Sequence, residues 1–166
     1  MKKTSEDIRP VINQTICAEY VTYNCSRHLA AVLKNGKTKK LFRGMAEQAK
    51  FRAETLREIL QARKGKIDVS VPECELCRLN PEQFSVQGAV NIGLEMNRIA
   101  VSFYKMLASS RAAPEYKGVF ARLLKEKRAE RRNLKQEKKF ESQKERFEVL
   151  DQHCVPAVFS KLKDSL

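Results

Sequence analysis

Apolar residues recur along most of the chain at spacings of three, four and seven, the period of a helix with one buried face. Val11, Ala18, Val21, Cys25, Leu29 and Leu33 hold this register first. Pro10 suits a first helical position and Lys34-Asn35-Gly36 reads as a turn, which predicts a helix from about 10 to 33. Phe42, Met45, Ala46, Ala49, Ala53, Leu56 and Leu60 line one face of a second helix. It is expected to begin after Gly36 and to end at Gly65, beyond the basic turn of Arg63 and Lys64. A third helix is predicted after Pro81, reading through Ala89, Gly93, Met96, Ala100, Phe103 and Leu107. After a break at Ser109-Ser110-Arg111, a fourth begins near Pro114 and carries Phe120, Leu123, Leu124 and Leu134. The basic helical pattern continues to about Cys154, Pro156 interrupts it, and residues 157–162 read as a last short turn of helix.

The second and fourth helices align without a gap at an offset of 78. Phe42 falls on Phe120, Met45 on Leu123 and Leu56 on Leu134; the same offset carries Val11 onto Ala89, Ala18 onto Met96 and Leu29 onto Leu107. Two hairpins thus share one length and one apolar register. One such hairpin cannot close a core, but two can. The fold expected is all-α: an antiparallel four-helix bundle of two duplicated hairpins, with a long crossover and a C-terminal helical extension. The chain is read as a single domain, 1–166. Its parts are a first hairpin (8–64), a crossover linker (65–81), a second hairpin (82–142) and the extension (143–166).

Composition agrees with a globular helical protein. Hydrophobic residues make up 42% and charged residues 32%, and six Gly with five Pro leave little punctuation for a many-turned β fold. A net charge of +13 suits anionic partners in general, or only a solvated surface. No stretch approaches the length of apolar sequence needed to cross a bilayer. Met1 to Pro10 carries two lysines with no apolar run behind them, and the five cysteines are read as thiols of a reducing cytoplasm.

The duplicated hairpin with its long crossover, and an aromatic residue placed ahead of each ligand segment, resemble the ferritin-like superfamily and within it the rubrerythrin-type domains, over residues 8 to 142. The resemblance implies a pair of irons or a related metal pair, held by one Glu from each of helices one and three and a Glu-x-x-His from each of helices two and four. Such a site needs carboxylate oxygens and imidazole nitrogens converging from facing helices. In the family the Glu-x-x-His ligands lie seven and ten residues after the aromatic. Those positions are Ala49 and Arg52 after Phe42, and Lys127 and Glu130 after Phe120. Seven before Tyr104 stands Asn97, whose repeat partner on helix one is Glu19. Six ligand positions therefore read Glu19, Ala49, Arg52, Asn97, Lys127 and Glu130. Only two are carboxylates and neither His is present. The resemblance, with this broken motif, implies that the metal centre is absent. Glu19 and Glu130 are then expected either to pair with Arg52 and Lys127 inside the bundle, or to leave these long side chains reaching solvent.

Cys74-x-x-Cys77 in the linker could be half of a zinc site or a redox pair, but zinc needs two more ligands and no second CxxC exists. His153-Cys154 or a second subunit could complete it; unligated thiols are the plainer reading. Cys17 and Cys25 are expected to be buried apolar residues, and His28 a satisfied or exposed helix residue. Helix four carries twelve Lys or Arg and five Glu between Lys117 and Arg146, net +7. Lys125, Arg128, Arg131, Arg132, Lys135, Lys138 and Lys139 form a basic surface that could lie along a phosphate backbone or meet an acidic protein. Glu–Lys pairs along the same helix equally suit a plain solvated surface. The leading expectation is a non-enzymatic bundle without cofactor, a homodimer, acting as a binding or interaction protein. The alternatives are a divergent di-iron type oxidoreductase, drawing on Glu19, Glu130 and carboxylates such as Glu47, Glu54 or Glu95, and a basic nucleic-acid-associated protein.

Overall fold

A computed structural model of the protein describes residues 7–70 and 75–144. Four long helices make up nearly all of it: α1 (Arg9–Val32), α2 (Gly36–Ala62), α3 (Val86–Ser109) and α4 (Lys117–Lys144). There is no strand among the described residues. The helical tail expected beyond Lys144 and Cys74 of the CxxC lie outside the described residues.

Each helix starts where a local donor problem is solved. Pro10 stands in the first turn of α1, where its missing N–H costs nothing. Asn35 caps α2, its Oδ1 accepting from the Thr38 N–H at 3.0 Å. Gly36 is thus the first residue of α2 and not a break before it. The third helix begins at Val86, later than Pro81 suggests. Pro81 instead opens a short 3₁₀ turn (Pro81–Gln83), and the extended Ser85 caps α3 by accepting from the Gly88 N–H at 2.9 Å. Pro114 likewise opens a 3₁₀ turn (Pro114–Tyr116) before α4. The end of α2 also departs from expectation. The residue in the left-handed region is Lys64, with φ 55°, not Gly65. Gly65 is needed for a close approach: its N–H donates to the Leu60 carbonyl at 2.8 Å, and a Cβ there would run into the Leu60 side chain.

The crossover climbs beside α1. Asn13 near the base of α1 donates to the Lys66 carbonyl at 3.0 Å and accepts from the Asp68 N–H at 3.1 Å. Near the other end His28 packs edge-on against Phe84, with ring centres 5.8 Å apart. Having travelled the length of α1, the chain enters α3 at the far end, so α3 runs antiparallel to α1. The hairpin pairs α1–α2 and α3–α4 pack closely, α1 lies against α3, and α2 and α4 scarcely meet.

The expected apolar positions fill the interior. Phe42, Ala49, Ala53, Leu56 and Leu60 of α2 and Phe120, Leu123 and Leu134 of α4 are among the fully or nearly fully buried residues. Gly93 keeps its place on α3 because a Cβ would stand 3.0 Å from Leu134 and 3.2 Å from Phe42. The core is divided. One cluster, including Cys25, Leu29, Phe42 and Phe103, fills one end of the bundle, and a second, including Ile12, Leu56, Leu60 and Phe120, fills the other. Between them lies a layer of charge.

Candidate functional site

Glu19 of α1, Arg52 of α2, Asn97 of α3, and Lys127 and Glu130 of α4 converge midway along the bundle. The helical register accounts for this. Glu19 neighbours the core residue Ala18, Arg52 neighbours Ala53, and Lys127 and Glu130 sit three apart on the inward face of α4. Arg52 and Lys127 are 0% exposed, as is Glu19, and Glu130 is 6% exposed. The guanidinium is the hub. Its Nε and Nη2 meet the two oxygens of Glu19 at 3.0 and 3.3 Å, and Nη2 also donates to Glu130 at 2.8 Å. Lys127 Nζ donates to the other Glu130 oxygen at 2.6 Å and lies 3.8 Å from Glu19. Asn97 Nδ2 donates to Glu130 at 3.0 Å and to the Lys127 carbonyl at 2.9 Å. Ala49, one turn before Arg52, is fully buried and offers no polar atom to the cluster. Two cations and two anions, cross-linked in this way, leave no net charge in the layer.

Electrostatics follow the geometry. Burial would weaken the charged form of Arg52, but Glu19 and Glu130 outweigh it and hold the guanidinium above its ordinary value. Burial would raise the Glu130 carboxyl, but Lys127 and Arg52 overcome that and hold it below the usual value of 4.5. Tyr104, on the same α3 face as Asn97 and two turns further on, is pushed well above 10.0 by burial and then by the charge of Glu19. Its hydroxyl faces Glu19, and the Asn97 Oδ1 is buried without a hydrogen-bond partner among the described residues.

Sequence reasoning did not place Tyr104 or Gln48 at this cluster. Gln48 lies one turn before Arg52, and its Oε1 accepts from Arg52 Nη1 at 3.4 Å. Helical spacing from Arg52 and Asn97 was the available signal for both. It also missed a second buried acid on α4: Glu137, 4% exposed, takes the Thr38 hydroxyl at 2.8 Å and Lys37 at 2.9 Å.

The other carboxylates considered for a metal do not join the cluster. Glu47 and Glu54 are exposed on α2, and Glu95 pairs with Arg98 at 2.7 Å. Among the described residues there is no group of three or more His, Cys, Asp or Glu arranged to hold a metal ion. Of the thiols, Cys25 is buried and Cys17 half-buried, and burial pushes the Cys17 thiol up, away from reactive thiolate. His28 is half-buried, with burial lowering its imidazole. Lys125, Arg128, Arg132, Lys135, Lys138 and Lys139 are exposed on α4, and Arg131 is half-buried. No helix among the described residues is long and apolar enough to cross a membrane.

Compared with known families, residues 11–138 match the family model described as Rubrerythrin. Comparison with curated proteins and with solved structures finds no significant match. The matched span takes in the greater part of all four helices, both hairpins and the whole charged layer. With an all-α antiparallel bundle, a crossover along its length and a family match over most of its residues, the chain belongs to the rubrerythrin family of the ferritin-like superfamily.

Proposed function

We propose that this protein keeps the ferritin-like scaffold but has replaced the di-metal centre of its family with a neutral, salt-bridged side-chain network, and that it works as a binding or interaction protein and not as an oxidoreductase. The observation that carries this reading is the burial of Arg52 and Lys127, both 0% exposed, between the only two carboxylates of the cluster. The donor set does not fit a pair of divalent ions. Such a pair calls for several carboxylates and imidazoles around open space. Here no imidazole is present, Glu19 and Glu130 are already taken up by cations, and an ammonium and a guanidinium would repel an incoming metal ion. A buried ion pair is a poor source of stability, so its presence fits a site inherited from a different use better than one selected for folding.

The reading extends to a cytoplasmic location and a homodimer. The half-buried Cys17, whose thiol joins no disulfide among the described residues, supports the former, and Phe51, 58% exposed on α2, offers apolar surface for the latter. The test is the metal content of purified, untagged protein from cells grown with added iron, manganese and zinc. The expected result is no iron or manganese. A stoichiometry of about two such ions per chain would return the protein to the metal-dependent oxidoreductases. Zinc at up to about one per chain, lost in a Cys74→Ser/Cys77→Ser variant, would assign a metal site to the linker instead.

A further inference from the structure

Helix α4 sorts its charges by side. Four acids fall within its described side chains. Glu130, Glu137 and Glu141 are buried, at 6%, 4% and 5% exposure, and Glu126 is half-buried. None is exposed. Apart from the buried Lys127 and the half-buried Arg131, the cations take the other side: Lys125, Arg128, Arg132, Lys135 and Lys139 recur at spacings of three and four, which sets them in one stripe along the exposed face. Among the described residues no ion pair joins any of these five to an acid, because none of them has an acid three or four residues away on the helix and the acids of α4 stand on its other side. Glu130 binds Arg52 and Lys127, and Glu137 binds Lys37 and Thr38.

The other hairpin supplies an internal comparison. At the offset of 78 the same stripe on α2 reads Glu47, Lys50, Glu54, Arg57 and Gln61, with no net charge. The scaffold therefore does not require a basic outer stripe at this register. Only α4 has one.

From this we infer that the outer stripe of α4 is a docking surface for the phosphate backbone of double-stranded nucleic acid, bound without regard to base sequence. The stripe spans about 21 Å at 1.5 Å per residue, which matches roughly six successive base pairs along one strand. Its cations stand about one helical turn apart on a straight rod, so they can follow a regular array of phosphates. The aromatic platforms that hold single strands are missing from the stripe. This inference supplies a partner for the interaction role proposed above and is independent of the metal question, since metal content and nucleic-acid affinity are read separately.

The test is fluorescence anisotropy of the full chain with a labelled duplex of about 20 base pairs, two helical turns, titrated across salt. Contact of all five cations with phosphates gives a slope of log affinity on log salt near −4.5, a loss of roughly 500-fold between about 50 and 200 mM. The variant Lys125→Gln/Arg128→Gln/Arg132→Gln/Lys135→Gln/Lys139→Gln should flatten that slope. A control that neutralises five exposed cations elsewhere (Lys34, Arg43, Lys50, Lys105 and Arg111, each to Gln) should nearly preserve it. All ten positions are exposed and Gln is a good helix former, so both variants keep the fold, as circular dichroism will verify. Equal losses in the two variants would mean that only net charge matters and would overturn the inference, as would no measurable binding at about 150 mM salt. Displacement of the duplex by polyglutamate at comparable concentration, dependent on the stripe, would also overturn it by assigning the surface to an acidic protein.

Discussion

Arg52→Met is the substitution that tests the charged layer most directly. Among the described residues Arg52 alone hydrogen-bonds both carboxylates of the layer, at 3.0 and 3.3 Å to Glu19 and 2.8 Å to Glu130. Met is unbranched like Arg and fills much of the same space, so the cavity left behind is small. The electrostatic loss is not small. Glu19 and Glu130 would share Lys127 alone, leaving one uncompensated negative charge where exposure is 0% and 6%. Breaking a buried pair on one side costs about 3–5 kcal/mol, which for a chain of this size lowers Tm by roughly 6–20 °C. Urea and thermal unfolding followed by circular dichroism measure it, and a pH series identifies the cause. In the parent protein the Glu130 carboxyl is held below 4.5, so its contribution is present above that pH and is lost as pH falls through the lower folded value. Without Arg52, Glu130 takes up its proton at higher pH, and protonation removes the buried charge. The gap between variant and parent must therefore narrow as the solution is acidified. A loss below about 1 kcal/mol, ordinary for an exposed pair, or a larger loss that does not change with pH, would refute a dry, closed network.

Two further substitutions probe the same physics from other sides. Replacing the whole set, Glu19→Leu/Arg52→Met/Lys127→Met/Glu130→Leu, should leave stability unchanged or raise it by about 1–4 kcal/mol, because no partner is stranded and four desolvated charges disappear; the urea midpoint reads this directly. Lys64→Gly should raise stability by about 0.5–1 kcal/mol, since it relieves a left-handed residue at the end of α2 at some cost in unfolded-chain entropy, and Lys64→Ala should bring no such gain.

The helices were legible because burial is periodic. Phe42, Ala49, Leu56 and Leu60 announce the inward face of α2 by spacing alone, and all four are fully buried. The boundaries were less so, because turn chemistry decides them. Pro81 and Pro114 mark chain that can start a helix, yet each is spent on a 3₁₀ turn; the cap that starts α3 is Ser85, which nothing in the apolar pattern singles out. Gly65 was the obvious left-handed residue, but the structure puts that conformation on Lys64 and keeps Gly65 small for its contact with Leu60. At the charged layer, spacing from Phe42, Phe120 and Tyr104 singled out the positions that meet there. It could not supply partners such as Gln48 or reveal that Tyr104 itself faces Glu19, because such contacts depend on how far apart four helices stand.

Helix α4 shows why charge patterns are hard to read before a fold is known. On paper Glu126, Glu130 and Glu141 lie three or four residues from Arg122, Lys127 and Lys138, the arrangement of a self-paired, solvated helix. Side chains at those spacings are neighbours only if both point to solvent. The bundle turns Glu130, Glu137 and Glu141 inward, and once there a carboxylate must find a cation or leave a charge buried alone. Glu130 takes Arg52 and Lys127, and Glu137 takes Lys37 from the start of α2. No acid stands three or four residues from Lys125, Arg128, Arg132, Lys135 or Lys139, so these exposed cations have no counter-charge at helical pairing distance. The neutral layer inside the bundle and the basic stripe outside it are therefore consequences of the same register: it sets Glu130 inward with Arg52 and Lys127, and sets Arg128, Arg132 and Lys135 outward with no acid at helical pairing distance.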